Sequence, residues 1–166
     1  MKEIIRKKKI YTIDGKLIES INFEGYSDTE LIEFALSYHL NGDIINAKSC
    51  YIYLLDSGMK NPSVFNNYAA ILQIEKKFEK AIDLYIKSIS YFPEFIDAYS
   101  NLGSLYYESG ELIKAESILR KGLIINPNLA SLYNNLGITL KELSKYDDAI
   151  KYLIRAISLD SKYADA

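Results

Sequence analysis

A spacing of 34 residues recurs along this 166-residue chain and constrains its fold more than any other feature. Ala47, Ala81, Ala115 and Ala149 stand 34 apart, as do Pro93 and Pro127, with Met59 and Ser161 in the flanking copies. Gly103 and Gly137 align with Ala35 and Ala69, and large apolar residues recur at Leu31, Phe65, Tyr99 and Tyr133. Two more columns run through Phe34, Tyr68, Leu102 and Leu136, and through Tyr38, Leu72, Tyr106 and Leu140. A fixed period of this length is the mark of stacked supersecondary units, each unable to bury its apolar face alone.

Within one period the pattern is two amphipathic helices. Tyr99, Leu102, Gly103 and Tyr106 fall at i, i+3, i+4 and i+7, one face of a helix. The segment Glu108–Leu112, with Gly110, supplies a break. Ala115, Ile118, Leu119 and Gly122 then repeat the helical spacing, and Asn126-Pro127 ends the unit. Glycine inside a helix costs about 1 kcal/mol against alanine, so close packing where the paired helices cross, at Gly103 and Ala115, must offset it. The prolines sit between helices, where a missing N–H does no harm.

Each copy resembles a tetratricopeptide repeat (TPR), whose pattern W-x2-L-G-x2-Y…A…P has this period. The first aromatic is never Trp here, and the Leu-Gly pair is clean only at Leu102-Gly103 and Leu136-Gly137. The resemblance covers residues 28–61, 62–95, 96–129 and 130–163, about four fifths of the chain. It implies an all-α fold, a right-handed superhelical solenoid of four helix-turn-helix repeats. The first copy lacks Gly and Pro at their usual places, as an end repeat can.

Both ends depart from the pattern. Residues 1–27 lie outside the repeats. Ile10–Ile13, Asp14-Gly15 and Lys16–Ile21 read as a short β-hairpin, since Asp-Gly suits a type I′ turn. An isolated hairpin is marginal, so it should lean on the first helix as a cap; a flexible leader is the other reading. Arg6–Lys9 is expected simply to solvate the terminus. Residues 164–166 match the start of a fifth repeat, so Ile150, Leu153, Ile154 and Ile157 on the last helix would be incompletely covered. A truncated longer protein is the preferred reading; the other is a self-association contact, a homodimer through the C-terminal repeat.

Composition excludes several classes of function. With 20 basic and 22 acidic residues the net charge is -2, against a nucleic-acid partner, which needs clustered excess Lys and Arg. One cysteine, Cys50, removes disulfides and multi-cysteine zinc sites. No apolar stretch approaches a membrane span of about 18 residues, and Met1–Lys9 lacks the apolar core of a signal peptide. The expected compartment is the cytoplasm. No catalytic constellation, cofactor motif or metal-ligand set is found. His39 has no nucleophile beside it in sequence, Cys50 reads as a buried structural thiol, and Asp147, Asp148 and Asp160 fall in loops and helix ends. The chain is read as a non-enzyme.

What remains is a surface. In TPR superhelices the first helix of each pair lines the concave groove. Asn67, Asn101 and Asn135 share one register there, and an amide both donates and accepts. A polar side chain repeated on that side has no evident packing purpose, so the three amides are expected to hold the backbone of an extended peptide. The ladder resembles that of O-linked N-acetylglucosamine transferases, where matching asparagines hold the substrate peptide; a consensus residue that keeps the groove wet is the other reading. Glu33 replaces Asn in the first copy. Asn66, Ser100 and Asn134 precede the ladder, and Gln73, Tyr107 and Lys141 continue toward the helix ends. Carboxylate-clamping TPR modules place Lys and Arg early in the groove; here those positions hold Thr29, Ser63, Asp97 and Ser131.

The expected function is therefore a protein-interaction module binding an extended peptide or partner protein. The layout also resembles bacterial, cyanobacterial-type TPR proteins in which repeats precede a transferase. That resemblance implies an alternative, the substrate-recruiting arm of a larger glycosyltransferase or sulfotransferase. Self-association through the last repeat is the third.

Overall fold

The protein is described here from a computed structural model, which covers residues 7–11 and 17–160. Two short strands, β1 (Lys7–Tyr11) and β2 (Leu17–Ile21), precede eight helices. The helices are α1 (Asp28–Leu40), α2 (Ile44–Asp56), α3 (Pro62–Ile74), α4 (Phe78–Tyr91), α5 (Ile96–Glu108), α6 (Leu112–Ile125), α7 (Ala130–Glu142) and α8 (Tyr146–Leu159). They form four helix–turn–helix pairs, the all-α TPR solenoid class that the 34-residue period predicts. The odd-numbered helices begin at 28, 62, 96 and 130, one period apart.

One turn geometry joins the two helices of every pair. The Asp43 N–H donates to Tyr38 O at 2.9 Å and the Gly42 N–H to His39 O at 3.1 Å. The same six-to-one bond recurs at Lys77→Leu72 (2.8 Å), Glu111→Tyr106 (2.8 Å) and Lys145→Leu140 (2.9 Å). This double closure satisfies carbonyls that the end of the helix would otherwise leave orphaned, and it requires a left-handed residue. Gly42 and Gly110 supply it, with φ of 76° and 79°; Lys76 and Ser144 adopt it at 60° and 59° despite their Cβ. Sequence reading found only Gly110, because the two non-glycines hide the column.

The chain divides into two compact units, residues 1–64 and 65–166. In the first, β1 and β2 pair antiparallel with Ile10 opposite Ile18 and Tyr11 opposite Leu17. The Asp14-Gly15 turn expected between them lies outside the described residues. The sequence reading leaned this hairpin on the first helix; the structure places β2 against α2. The connection behind it grips both helices: Phe23 stacks on Tyr53 of α2 (4.3 Å between centroids) and Tyr26 meets Phe34 of α1 edge-on (5.3 Å). Ser27 begins α1 as a capping box, accepting from the Glu30 N–H while Glu30 accepts from the Ser27 N–H. Among the described residues of this unit, Leu31, Ala35, Ala47, Cys50, Tyr51, Leu54 and Val64 are buried.

In the second unit, helices α4 to α8 and the part of α3 from Phe65 pack around Tyr85, Leu102, Leu105, Leu119, Leu132, Leu136 and Leu140, all buried. Each fully buried leucine stabilises the fold by about 1.5–3 kcal/mol. The glycines sit where the two helices of a pair touch. A Cβ on Gly103 would stand 2.4 Å from Leu119 Cδ2, and one on Gly137 would stand 2.6 Å from Leu153 Cγ. Gly103 thus makes room for the Leu119 side chain, one turn beyond the Ala115 crossing expected from sequence.

Candidate functional site

The face carried by α3, α5 and α7 is built from the asparagine register and its neighbours. Asn101 Nδ2 on α5 donates to Asn66 Oδ1 on α3 at 2.9 Å. One period later Asn135 Nδ2 on α7 reaches Ser100 Oγ on α5 at 3.4 Å. Along each helix, Asn66 Nδ2 approaches Asn67 Oδ1 (3.4 Å) and Asn134 Nδ2 approaches Asn135 Oδ1 (3.5 Å). The amides therefore have a packing purpose that sequence reading denied them: they tie successive odd-numbered helices together. Asn66 is 7% exposed and Asn67, Asn101 and Asn135 are half-buried, so the ladder still borders the surface. Asn101 Oδ1 and Asn67 Nδ2 have no hydrogen-bond partner among the described side chains.

The other groove candidates separate. Tyr107 joins Asn135 in lining a cavity of about 140 Å³, together with Gly103, Ser104, Ile138 and Thr139.

 A separate cleft of about 400 Å³ lies between α3 and α4, lined by Tyr68, Leu72, Glu79, Lys80, Asp83 and Leu84. Thr139 Oγ1 donates back to Asn135 O within its own helix at 2.7 Å. Gln73 is engaged elsewhere: its Nε2 donates to Glu108 Oε2 at 2.9 Å and its Oε1 accepts from Tyr85 Oη at 3.4 Å. Lys76 Nζ meets the other Glu108 oxygen at 2.8 Å. The bonds from Lys76 and Gln73 hold the Glu108 carboxyl below its ordinary pKa. Lys141 is exposed in the last turn of α7. The structure thus brings Tyr107 and Asn135 together and leaves Gln73 and Lys141 outside their cavity.

Ser104, Ile138 and Thr139 are cavity residues that sequence reading missed. The signal was present, since Ser104 and Ile138 follow Asn101 and Asn135 by three residues and so share their helix face.

The residues weighed for chemistry fall into structural places. Cys50 is fully buried, and burial pushes its thiol up to about 12. His39 Nδ1 lies 3.4 Å from Tyr51 Oη, with the two rings edge to face. Asp147 and Asp148 occupy the first turn of α8, where they complement the helix dipole. Among the described residues no three His, Cys, Asp or Glu are grouped to hold a metal ion, and no helix is long and apolar enough to cross a membrane.

The self-association candidates also separate. Ile150 and Ile154 are 56% and 61% exposed, whereas Leu153 and Ile157 are half-buried. Leu153 fills the space left by Gly137 and is thus part of the internal packing.

Comparison with known proteins agrees with this architecture. A Tetratricopeptide repeat model matches residues 94–162 and a TPR repeat model matches residues 71–110. The crystal structure of MamA superposes with a TM-score of 0.76 at 21% identity, covering 86% of this chain and 84% of that one. YrrB, titled a TPR protein with an unusual peptide-binding site, gives 0.70 at 19% identity over 81% of this chain and 70% of that one. At those identities the likeness concerns the fold alone. Among curated relatives, the human protein O-mannosyl-transferase TMTC3 is 33% identical over 61% of this chain, and the chain spans 11% of it. The barley protein SPINDLY, a probable UDP-N-acetylglucosamine–peptide N-acetylglucosaminyltransferase, is 25% identical over 83% of this chain, which spans 15% of it. The period, the paired helices, the repeated turn and these matches together place the chain in the tetratricopeptide repeat family.

Proposed function

We propose that this chain is a non-catalytic protein-interaction module that holds an extended peptide segment along the face of α3, α5 and α7. The observation that carries the reading is the cavity beside Asn135. Apolar walls from Ile138 and Tyr107 stand next to an amide, the combination that seats one side chain while hydrogen-bonding the backbone beside it. Asn101 Oδ1 and Asn67 Nδ2 offer an acceptor and a donor along the same face. Because Asn101 and Asn135 also tie helices together, replacing them would confuse binding with stability. The cleaner probe is Ser104→Trp, which fills the cavity from a partly open position. Selection of displayed random peptides on the chain, followed by titration of the enriched peptides, tests the proposal. Binding should be lost with Ser104→Trp and kept with Ile113→Lys, a change at an exposed site on α6. Peptides that bind the Ser104→Trp variant as tightly as the parent would remove the groove from consideration.

A second reading is favoured by the two transferase relatives, of which this chain spans only a small part. In it the same face recruits substrate for a catalytic domain in a longer chain. Intact-mass analysis of the native product decides it: a mass well above 19.0 kDa is expected, and 19.0 kDa itself sinks the idea.

A further inference from the structure

A groove of about 310 Å³ runs between α4 and α6 in the middle of the second unit, and it shares no residue with the cavity beside Asn135. Leu102 and Tyr106 of α5 form its floor, Ile86 and Ile89 of α4 one wall, and Ile118 of α6 the other. Ile86 is 47% exposed and Ile89 and Ile118 are half-buried, so apolar surface stays open to solvent along it. The polar rim comes from one helix. Lys114, Ser117 and Lys121 of α6 follow one another at spacings of three and four residues, on one helix face. No carboxylate is among the lining residues.

The preceding repeat shows what this rim lacks. The cleft between α3 and α4 uses the same positions one period earlier: Tyr68, Leu72, Lys80, Asp83 and Leu84 correspond to Leu102, Tyr106, Lys114, Ser117 and Ile118. There Asp83 pairs with Lys87, four residues on, at 2.8 Å. Ser117 and Lys121 hold those two positions in the later repeat, and a serine cannot neutralise an ammonium. Lys114 is compensated, since it pairs with Glu111 and lies 5.5 Å from the Tyr106 ring centroid. Lys121 has no ion-pair partner among the described residues. An exposed apolar groove thus ends at an uncompensated cation with the Ser117 hydroxyl one turn away.

We infer that the groove between α4 and α6 docks a segment of a partner protein in which a large apolar side chain stands next to a carboxylate. The apolar side chain lies over Leu102, between the isoleucines of the two walls, where its burial removes their exposed surface from water. The carboxylate takes the Lys121 ammonium, and the Ser117 hydroxyl is a second donor within its reach. Charge complementarity selects the acid, because a basic occupant would meet Lys121 with no carboxylate in the lining to receive it. A free amphiphile fits less well. The open wall at Ile86 would leave a long alkyl chain partly in water, whereas one side chain needs only a short apolar stretch.

Displayed random peptides selected on the chain, then sorted by their binding to variants, provide the test. One class should bind Ser104→Trp as tightly as the parent, share an apolar residue next to Asp or Glu, and lose about tenfold in affinity with Lys121→Glu. Exchanging that acid for Lys in the peptide should restore binding to Lys121→Glu, which a merely structural effect of the substitution would not do. Ile86→Ser should weaken the same class. Lys121 and Ile86 are exposed, so both variants should keep the far-ultraviolet spectrum of the parent. Peptides abolished by Ser104→Trp report on the face of α3, α5 and α7 instead, so the two readings fail separately. The absence of the acidic class overturns the inference, as does a class that keeps its affinity for Lys121→Glu or is not rescued by the exchanged charge. A groove that takes decanoate but no such peptide overturns it in favour of a free amphiphile.

Discussion

Asn101 on α5 hydrogen-bonds Asn66 on α3 across 35 residues, one more than the repeat period. Asn135 and Ser100 keep the same offset, and so do Gln73 and Glu108. The extra residue reflects how far each odd-numbered helix is advanced along its neighbour, and it decides which polar side chains meet.

Asn101→Ala should therefore cost stability even without any ligand. Asn66 is 7% exposed and would lose its donor, a penalty of about 1–3 kcal/mol for a buried unsatisfied group. Urea denaturation measures it. A midpoint equal to that of the parent would mean that the Asn66 amide finds water instead.

Gly103→Ala and Gly137→Ala should differ although the two glycines share a column. The Cβ at 103 meets Leu119, which is fully buried and cannot retreat, so overpacking of about 1–3 kcal/mol is expected. The Cβ at 137 meets Leu153, whose half-buried side chain can move, and the Ala149 carbonyl only at 3.3 Å, while the helix gains about 1 kcal/mol of propensity in return. Thermal denaturation should rank Gly103→Ala well below Gly137→Ala, and the reverse order would contradict the packing described.

Ser144→Gly should stabilise the chain. Ser144 holds φ at 59° in the turn that Gly42 and Gly110 occupy in other pairs. Relief of the left-handed conformation is worth about 1 kcal/mol, less part of the entropy glycine loses on folding. The complementary change, Gly110→Ala, should destabilise. Differential scanning calorimetry of the two variants should show shifts of opposite sign.

Alkaline pH should weaken the fold partly through Cys50. Burial raises its thiol from 9.0 to about 12, so the native state keeps a proton that the unfolded chain releases. The resulting stability is complete below about pH 9 and declines as pH rises from there toward 12. Burial raises the Tyr85 hydroxyl in the same direction. Urea midpoints should fall above pH 9, and Cys50→Ala should show a shallower fall from a lower starting value. Slopes that coincide for the two proteins would exclude the thiol as a contributor. Alkylation of native Cys50 should likewise be slow until the chain unfolds.

Much of this architecture was legible in the residues themselves. The 34-residue period, the two helices per period and the small residues at their contact follow from spacing alone, because a helix face is a matter of counting along one chain. The turn column through residues 42, 76, 110 and 144 was half hidden, since Lys76 and Ser144 accept a conformation that their residue types do not advertise. The site was less legible. Counting placed Asn67, Asn101 and Asn135 on one face, but it could not say what their amides touch.

That last question belongs to tertiary structure, because a hydrogen bond between helices depends on their axial offset as well as on their period. A shift of one residue joins Asn101 to Asn66 and takes Gln73 to Glu108. Packing likewise decided that β2 lies against α2, that Leu153 turns inward to Gly137, and that Ile150 and Ile154 remain outside. Sequence determined which residues share a helix face; the distance and advance between neighbouring helices determined what each of those residues does.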